Sequence, residues 1–309
     1  MSLIEAYIDY LRHEQRRAAN TVAAYRRDLE QWRSHVLGGR PVECFDPMSV
    51  TQLDLRHYMG ALLKEGIGAV SVRRKMSALR GFFTFLERNH GLTVNPTAAL
   101  AMPKTPKRLP VIIRPDETER LLDAPVPPDD YDALLMRVII DILYNTGLRC
   151  SELCSLKDRD TDTSRRSLKV LGKRDKERVI PFGPELAETI AAYRLERDAD
   201  PARRTADPDA PLLCRADGRP LNRGLVYSRL HRHLADAGVN ATRLSPHTLR
   251  HSMATDVLNA GASLPTVKQL LGHASLSSTQ IYTHLSFGDL LKNYRQAHPR
   301  ANNRPQSDV

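Results

Sequence analysis

The sequence lacks several features that mark whole classes of protein. It has only four cysteines in 309 residues and no C-x-x-C pair, a pattern typical of a reduced protein with structural thiols. No apolar run approaches the ~20 residues that a bilayer-crossing helix needs. The N-terminal segment carries acidic residues and no unbroken apolar run, unlike a signal peptide. We therefore expect a cytoplasmic protein without a membrane partner.

Several common ligand-binding motifs are also absent. There is no G-x-x-x-x-G-K-[ST] or G-x-G-x-x-G for phosphates and no H-E-x-x-H for zinc. The closest string runs from His247 to His251 and lacks the glutamate base. A metal site made by these two histidines with His273 and His284 is an alternative, because histidines four apart share a helix face. No carboxylate or thiol lies close by to complete the ligand set, so we expect no metal and no cofactor.

What the sequence does have is positive charge. Lys and Arg number 46 against 36 Asp and Glu, for a net charge of +10. This balance favours an anionic partner, of which nucleic acid is the commonest large one. The alternative is a basic enzyme with another kind of substrate.

Residues 1 to about 100 show helical periodicity throughout. Asn20 and Ser71 are predicted to cap two of the helices, and Ser49 or Thr51 a third, which Gly66 ends. Basic residues lie off the apolar stripes, where they form either solvated faces or a phosphate-binding surface. The predicted DNA contacts are Arg26, Arg27, Arg73, Arg74, Lys75 and Arg80.

A proline-rich, basic segment then interrupts the helical pattern and reads as an extended linker. It divides the chain into an N-terminal helical domain (1–102), a linker (103–111) and a second domain (112–297). The polar residues 298–309 are expected to form a flexible tail.

The second domain is predicted to be mainly α-helical with one small hairpin. Gly147 is typical of a residue that ends a helix. Leu168, Val170, Val179 and Ile180 flank a charged turn and indicate two paired strands. The pairs Ser245-Pro246 and Ser263-Pro265 are expected to begin helices.

Four polar residues of this domain could bind an anion, although each also has an ordinary structural interpretation. His247 and Arg250 lie on one side of a helix near its N-terminus, where an anion is favoured, or they are merely surface residues. Arg149 follows the turn at Gly147, where it either binds an anion or only pairs with Glu152. Lys173 lies at the tip of the hairpin, as an ordinary turn lysine also would.

Their order along the chain resembles that of the tyrosine recombinases, and within them the Xer site-specific recombinases. The strings "TGLRCSEL", "VLGKRDKERVIPF", "LSPHTLRHSMAT" and "LLGHASLSSTQIYTH" carry the resemblance, which covers nearly the whole chain. It implies a helical core-binding domain and a catalytic domain. The implied catalytic residues are Arg149, Lys173, His247, Arg250, His273 and the nucleophile Tyr282.

Two positions depart from the family pattern. Arg174 replaces the usual glycine, so either Lys173 or Lys176 is the general acid. Asp256 stands where Xer proteins usually have histidine.

The resemblance also implies a reaction and partners. Double-stranded DNA would be cut and rejoined through a 3′-phosphotyrosine, without metal or ATP, by a tetramer on two DNA sites. Resolution of chromosome dimers would involve a paired Xer recombinase and the septal DNA translocase. The alternatives are a phage or mobile-element integrase with the same chemistry, a type IB topoisomerase and a DNA-binding regulator without activity.

A last helix is predicted in "SFGDLLKNYRQAH", after Tyr282. Phe287, Leu290, Leu291 and Tyr294 form an apolar stripe on it. By resemblance, this helix docks on a neighbouring protomer; the alternative is that it packs on its own domain.

Overall fold

The computed structural model describes residues 2–105, 112–172, 177–239, 245–272, 297, 298 and 300. The chain divides into two compact units, residues 1–108 and 109–309. As predicted, both are mainly α-helical, and the second carries a small antiparallel sheet.

The first unit is built from four helices around an aromatic core. Trp32, Tyr58, Phe82 and Phe83 are almost completely buried in it, and the Trp32 ring meets both phenylalanine rings edge-on. A π-helical turn extends the first helix. The helices are α1 (Leu3–Asp9), α2 (Ala19–Leu37), α3 (Gln52–Lys64) and α4 (Ala69–Asn89).

The helix starts of this unit were only partly predictable. Thr51 caps α3 as expected: its hydroxyl accepts from the Asp54 N–H, and its own N–H donates to the Asp54 carboxylate at 2.8 Å. The predicted caps Asn20 and Ser71 are wrong, because α2 and α4 begin upstream of them at alanines. Alanine has the highest helix propensity, so a helix readily extends past a polar residue into it.

The second unit is organised around α6, most of whose side chains are buried. Helices α8 and α10 pack directly on α6, which explains why its sequence is apolar on nearly every side. The helices are α5 (Pro115–Asp123), α6 (Tyr131–Thr146), α7 (Cys150–Cys154), α8 (Pro184–Ala199), α9 (Arg223–Asp236), α10 (Pro246–Asn259) and α11 (Leu264–Leu271).

The predicted hairpin is confirmed and belongs to a three-stranded sheet. Strands β2 (Ser167–Leu171) and β3 (Glu177–Pro181) are antiparallel, with Leu168 opposite Ile180. A short unpredicted strand β1 (Thr161–Asp162) pairs with the outer edge of β2. The turn at 173–176 lies outside the described residues.

The end of the chain contacts the second unit. Ala297 and His298 are buried there, and Arg300 donates hydrogen bonds to Glu185 at 2.9 Å and to Asp123. The apolar stripe between residues 287 and 294 lies outside the described residues. None of the helices described is long and apolar enough to cross a membrane.

Candidate active site

The turn after α6 requires a glycine. Gly147 has a φ of 60° and its N–H bonds to the Leu143 carbonyl at 3.0 Å. A Cβ at this position would lie 2.5 Å from the Met253 Cε and 2.8 Å from the Leu271 Cδ2. The chain therefore turns sharply here, as predicted.

Arg250, on α10, is held by the Gly147 carbonyl. It donates to the carbonyl oxygen of Gly147 and, at 2.7 Å, to that of Leu271. Only 5% of the residue is exposed. Burial, together with the nearby Arg149, lowers the pKa of Arg250 to about 10. It makes no ion pair with any described residue, so neutral dipoles hold its positive charge in place, and Glu152 acts on that charge only from a distance.

Arg149 begins α7 and pairs with Glu152, as the structural interpretation of this residue predicts. Its N–H donates to one carboxylate oxygen at 2.9 Å, and its Nη1 donates to the other at 2.8 Å. Its Nη2 reaches the carbonyl oxygen of Gly272 at 3.3 Å. The side chain remains one-third exposed, so the pairing holds the guanidinium in place without burying it.

Glu152 is 6% exposed and also accepts two hydrogen bonds from Arg178. Burial raises the pKa of Glu152, but hydrogen bonds from Arg178 and Arg149 lower it more. The carboxylate is therefore ionised at neutral pH and holds two cations.

His247 lies in the first turn of α10, behind Pro246 as predicted. Its ring is 6.4 Å from that of Tyr227. Partial burial, then His251, Arg250 and Arg149, lower the pKa of His247. The imidazole is thus neutral at neutral pH and can accept a proton. The cap is not as predicted, because Ser245 makes no side-chain bond to the helix backbone.

The other catalytic candidates lie outside the described residues, and for them only the flanking chain is seen. Lys173 and Lys176 follow the end of β2 at Leu171. His273 directly follows Gly272, which ends α11 with a φ of 62°. Tyr282 has no described neighbour in sequence. Arg149, His247 and Arg250 are brought together by the ends of α6, α7, α10 and α11.

Asp256 stabilises the packing of α10 on α6. It accepts a hydrogen bond from the Tyr144 hydroxyl at 2.9 Å. Burial raises the pKa of Asp256, while this hydrogen bond lowers it, and the net pKa is above the ordinary value. The departure from histidine at this position thus has a structural partner on α6.

The basic residues of the first unit divide into two groups. Arg26 pairs with Glu5, Arg74 pairs with Asp28, and Lys75 donates to Asp28 at 3.1 Å.

Lys75 is only 8% exposed. Its burial fits neither a solvated face nor the predicted DNA contact, because the internal carboxylate of Asp28 draws its ammonium group inward. Arg27, Arg73 and Arg80 are exposed. Among the described residues, Arg73 and Arg80 donate only to backbone carbonyls, at 3.3 and 3.4 Å.

A depression on the surface of this unit is lined by four arginines and one glutamate. Arg12, Arg17, Arg26, Arg27 and Glu30 line it. The N-terminus of α2 has no side-chain cap, so its backbone N–H groups add to the positive potential there. Arg17 and Arg12 were not among the predicted DNA contacts.

Sequence reasoning missed Arg178 and the part that Gly272 plays beside it. Arg178 lies in a strand of mixed composition, and no spacing singles it out. In the described part of the chain, no three His, Cys, Asp or Glu side chains form a group that could hold a metal ion. His273 and His284 lie outside that part.

Comparisons with known proteins cover both units. Residues 112–288 match the phage integrase family. Residues 4–90 match the phage integrase N-terminal SAM-like domain.

Full-length relatives are found among curated proteins. The chain is 38% identical to tyrosine recombinase XerD of Proteus mirabilis, over 96% of this chain and 93% of the relative. It is also 38% identical to tyrosine recombinase XerC of Listeria monocytogenes, over 97% of this chain and 98% of the relative.

Solved structures share the fold at lower identity. The Tn1549 transposon integrase, in complex with transposon right end DNA, has a TM-score of 0.72 at 20% identity, covering 96% of this chain and 99% of that one. The XerH recombinase bound to a palindromic difH substrate has a TM-score of 0.64 at 21% identity, covering 89% and 79%.

Proposed function

We propose a mechanism from one premise: the chain belongs to the phage integrase family, and it is a tyrosine-type site-specific recombinase. In this proposal the Tyr282 hydroxyl attacks a DNA phosphate. The bond from phosphorus to the tyrosine oxygen forms, and the bond to the 5′ oxygen breaks. The DNA 3′ end is left joined to the protein.

The observation that carries the proposal is the arrangement of Arg149 and Arg250. A phosphodiester has one negative charge, and in-line attack builds a second. Two guanidiniums on the non-bridging oxygens stabilise that added charge most in the transition state. Arg250 is well suited to this, since carbonyl oxygens hold it without neutralising it.

Proton transfer is assigned to His247 and Lys173, and a hydrogen bond to the phosphate is assigned to His273. A phenol has a pKa of about 10 and must lose its proton on attack. The neutral imidazole of His247 accepts it. Lys173 protonates the departing 5′ oxygen, and His273 donates a hydrogen bond to the phosphate. Because the phosphotyrosine retains the bond energy, rejoining requires no ATP.

For the biological role we propose resolution of chromosome dimers in the cytoplasm. The 38% identity to XerD and XerC supports this role. The proposed partners are duplex DNA, three further protomers, a paired Xer recombinase and the septal translocase. An integrase of a mobile element would use the same chemistry. Mapping of covalent adducts over a genome separates the two, since dimer resolution requires one site near the replication terminus.

We also retain the domain boundaries of 1–102, 103–111 and 112–297 as a proposal. The division of the chain near residue 108 supports them. So do the separate family matches to residues 4–90 and 112–288. The flexible tail predicted for 298–309 is corrected at its start, because His298 is buried and Arg300 pairs with Glu185.

The decisive experiment uses DNA with a nick beside the cleavage site, which traps the covalent adduct. Tyr282→Phe should bind this DNA normally and form no adduct, because only the hydroxyl is removed. Tyr227→Phe, beside His247, is the matched control and should still form it. An adduct in Tyr282→Phe would refute the assignment. Wild-type cleavage should persist in excess EDTA, and its loss would favour a metal site.

A second experiment identifies the general acid. DNA with a 5′-bridging sulfur has a better leaving group and needs no proton there. It should restore cleavage by Lys173→Ala. Rescue of Lys176→Ala alone would transfer the role to Lys176.

A further inference from the structure

Besides Arg149 and Arg250, the site contains a third arginine, Arg178, which binds the same carboxylate as Arg149. Arg178 lies on β3, and its side chain is 14% exposed. Its Nη1 donates to Glu152 Oε1 at 3.0 Å, and its Nη2 donates to Oε2 at 2.8 Å. This two-pronged geometry is the most directional that a carboxylate can accept. Glu152 therefore has one orientation, and that orientation determines where Arg149 lies.

Arg178 also packs against the chain just before His273. A Cβ on Gly272 would lie 3.1 Å from the Cζ, Nε and Nη1 atoms of Arg178. The carbonyl oxygen of Gly272 accepts from Arg149 at 3.3 Å. Gly272 is thus held between two arginines, and its lack of a side chain lets Arg178 approach.

The Nε–H of Arg178 is buried and has no acceptor among the described residues. Burial of a donor without a partner is unfavourable. The placement of Arg178 is therefore not explained by optimal hydrogen bonding of Arg178 itself.

The charges of the cluster explain why a second cation on Glu152 matters. Arg149 alone with Glu152 would be a neutral pair. With Arg178 and Arg250 included, three arginines and one glutamate leave a net charge of two positive units. The transition state of phosphoryl transfer at a diester carries two negative charges, so the cluster then matches it.

We propose that Arg178 is a positioning residue for DNA strand cleavage: it orients Glu152 so that Arg149 faces the phosphate with its charge uncancelled, and it places Gly272 before His273. This inference rests on the proposed function, because Arg178 acts through Arg149 and itself touches no reacting atom.

The test is single-turnover adduct formation by Arg178→Met on nicked DNA. We expect adduct formation to slow by roughly 10- to 100-fold, a fraction of the loss on removing a direct donor, with DNA affinity retained. Lys169→Met is the matched control, because it also removes one cation from the same hairpin. Lys169 is exposed and pairs with Glu177 at 3.0 Å, away from Glu152. Arg178→Lys should recover part of the rate, since it restores charge without the fork.

A second substrate separates positioning from general damage to the fold. A methylphosphonate linkage lacks the charge on one non-bridging oxygen and so needs less positive charge in the site. The ratio of wild-type to Arg178→Met rates should therefore shrink on methylphosphonate DNA. A merely structural defect leaves the ratio unchanged. An unchanged ratio, or a rate equal to that of Lys169→Met, overturns the proposal.

Two provisions keep the outcome decisive. If Arg178→Met does not fold, the same ratio is measured for Arg178→Lys and for Gly272→Ala, which displaces the guanidinium. An unchanged ratio in both again overturns the proposal. Failure of the proposed function is seen separately, as an adduct that persists in Tyr282→Phe, whereas failure of this inference leaves the Tyr282 adduct intact.

Discussion

Each unit holds basic residues that were predicted to bind phosphate: Arg74 and Lys75 around Asp28 in the first unit, and Arg250 in the second. In the first, Arg74 and Lys75 share the carboxylate of Asp28. In the second, Arg250 is bound only by the carbonyl oxygens of Gly147 and Leu271 among the described residues. A carboxylate thus holds the cations in one place, and neutral carbonyl groups hold the cation in the other.

The difference shows that the partner of a cation decides what it can do. A buried carboxylate draws the Lys75 ammonium group inward, which leaves little of that side chain accessible to DNA. Two carbonyl dipoles hold Arg250 and add no negative charge. Burial and the neighbouring Arg149 lower the pKa of Arg250 to about 10, although the charge of Glu152 acts in the opposite direction.

The largest effect should be on the rate of adduct formation, when one arginine of each unit is replaced by alanine. Arg250→Ala should slow adduct formation by roughly 100- to 1,000-fold, the loss typical of one transition-state donor. Arg74→Ala should change it little, because Arg74 is not among the residues assigned to the reaction. Single-turnover cleavage and gel shifts measure both. Equal losses of binding and cleavage in Arg250→Ala would make it a binding residue instead.

The next effect concerns two glycines with the same backbone conformation. Gly147 and Gly38 have φ values of 60° and 54°, but a Cβ on Gly38 meets nothing within 4 Å. Gly38→Ala should lower the free energy of unfolding by about 1 kcal/mol, from the left-handed backbone alone. Gly147→Ala should lower it by about 3 kcal/mol, since it also overpacks Met253 and Leu271. Urea denaturation measures both, and equal losses would mean that the Gly147 turn relaxes.

A smaller effect should appear in the pH dependence of cleavage. Because the pKa of His247 is below its ordinary value of about 6.5, the imidazole stays neutral until the pH falls below that value. Cleavage should then decline, with a midpoint under pH 6.5. His251→Asn removes the interaction with His251 that lowers the pKa of His247, so it should move the midpoint to higher pH. DNA binding by the first unit should not follow this curve.

The same shift has a consequence for stability. As the pH falls through about 6.5, the unfolded chain takes up a proton before folded His247 does, so unfolding becomes easier. His247→Gln should remove that part of the acid sensitivity in a thermal melt. An unchanged profile would contradict the lowered pKa.

The smallest effect distinguishes two cations of the first unit by salt dependence. Arg27 is exposed, and Arg27→Ala should reduce the slope of log affinity against log salt by about 1. Lys75→Met should leave that slope unchanged and lower the melting temperature. A reduced slope in Lys75→Met would return Lys75 to the DNA surface.

Much of the local structure was predictable from the sequence. The turn at Gly147, the hairpin of β2 and β3, and the Thr51 cap depend on residues within a few positions of each other. Steric limits on the backbone and short hydrogen bonds decide such features. The starts of α2 and α4 were missed even so, because a helix can extend past a good cap into alanine.

By itself, the sequence determined the family, the helical fold and the identity of Arg149, His247 and Arg250 as site candidates. Only the tertiary structure decided which cations pair with a carboxylate. Asp28 reaches Lys75 across 47 positions, and Glu152 reaches Arg178 across 26. Charge pairing depends on distance in space, which helix packing sets and which periodicity along the chain does not contain.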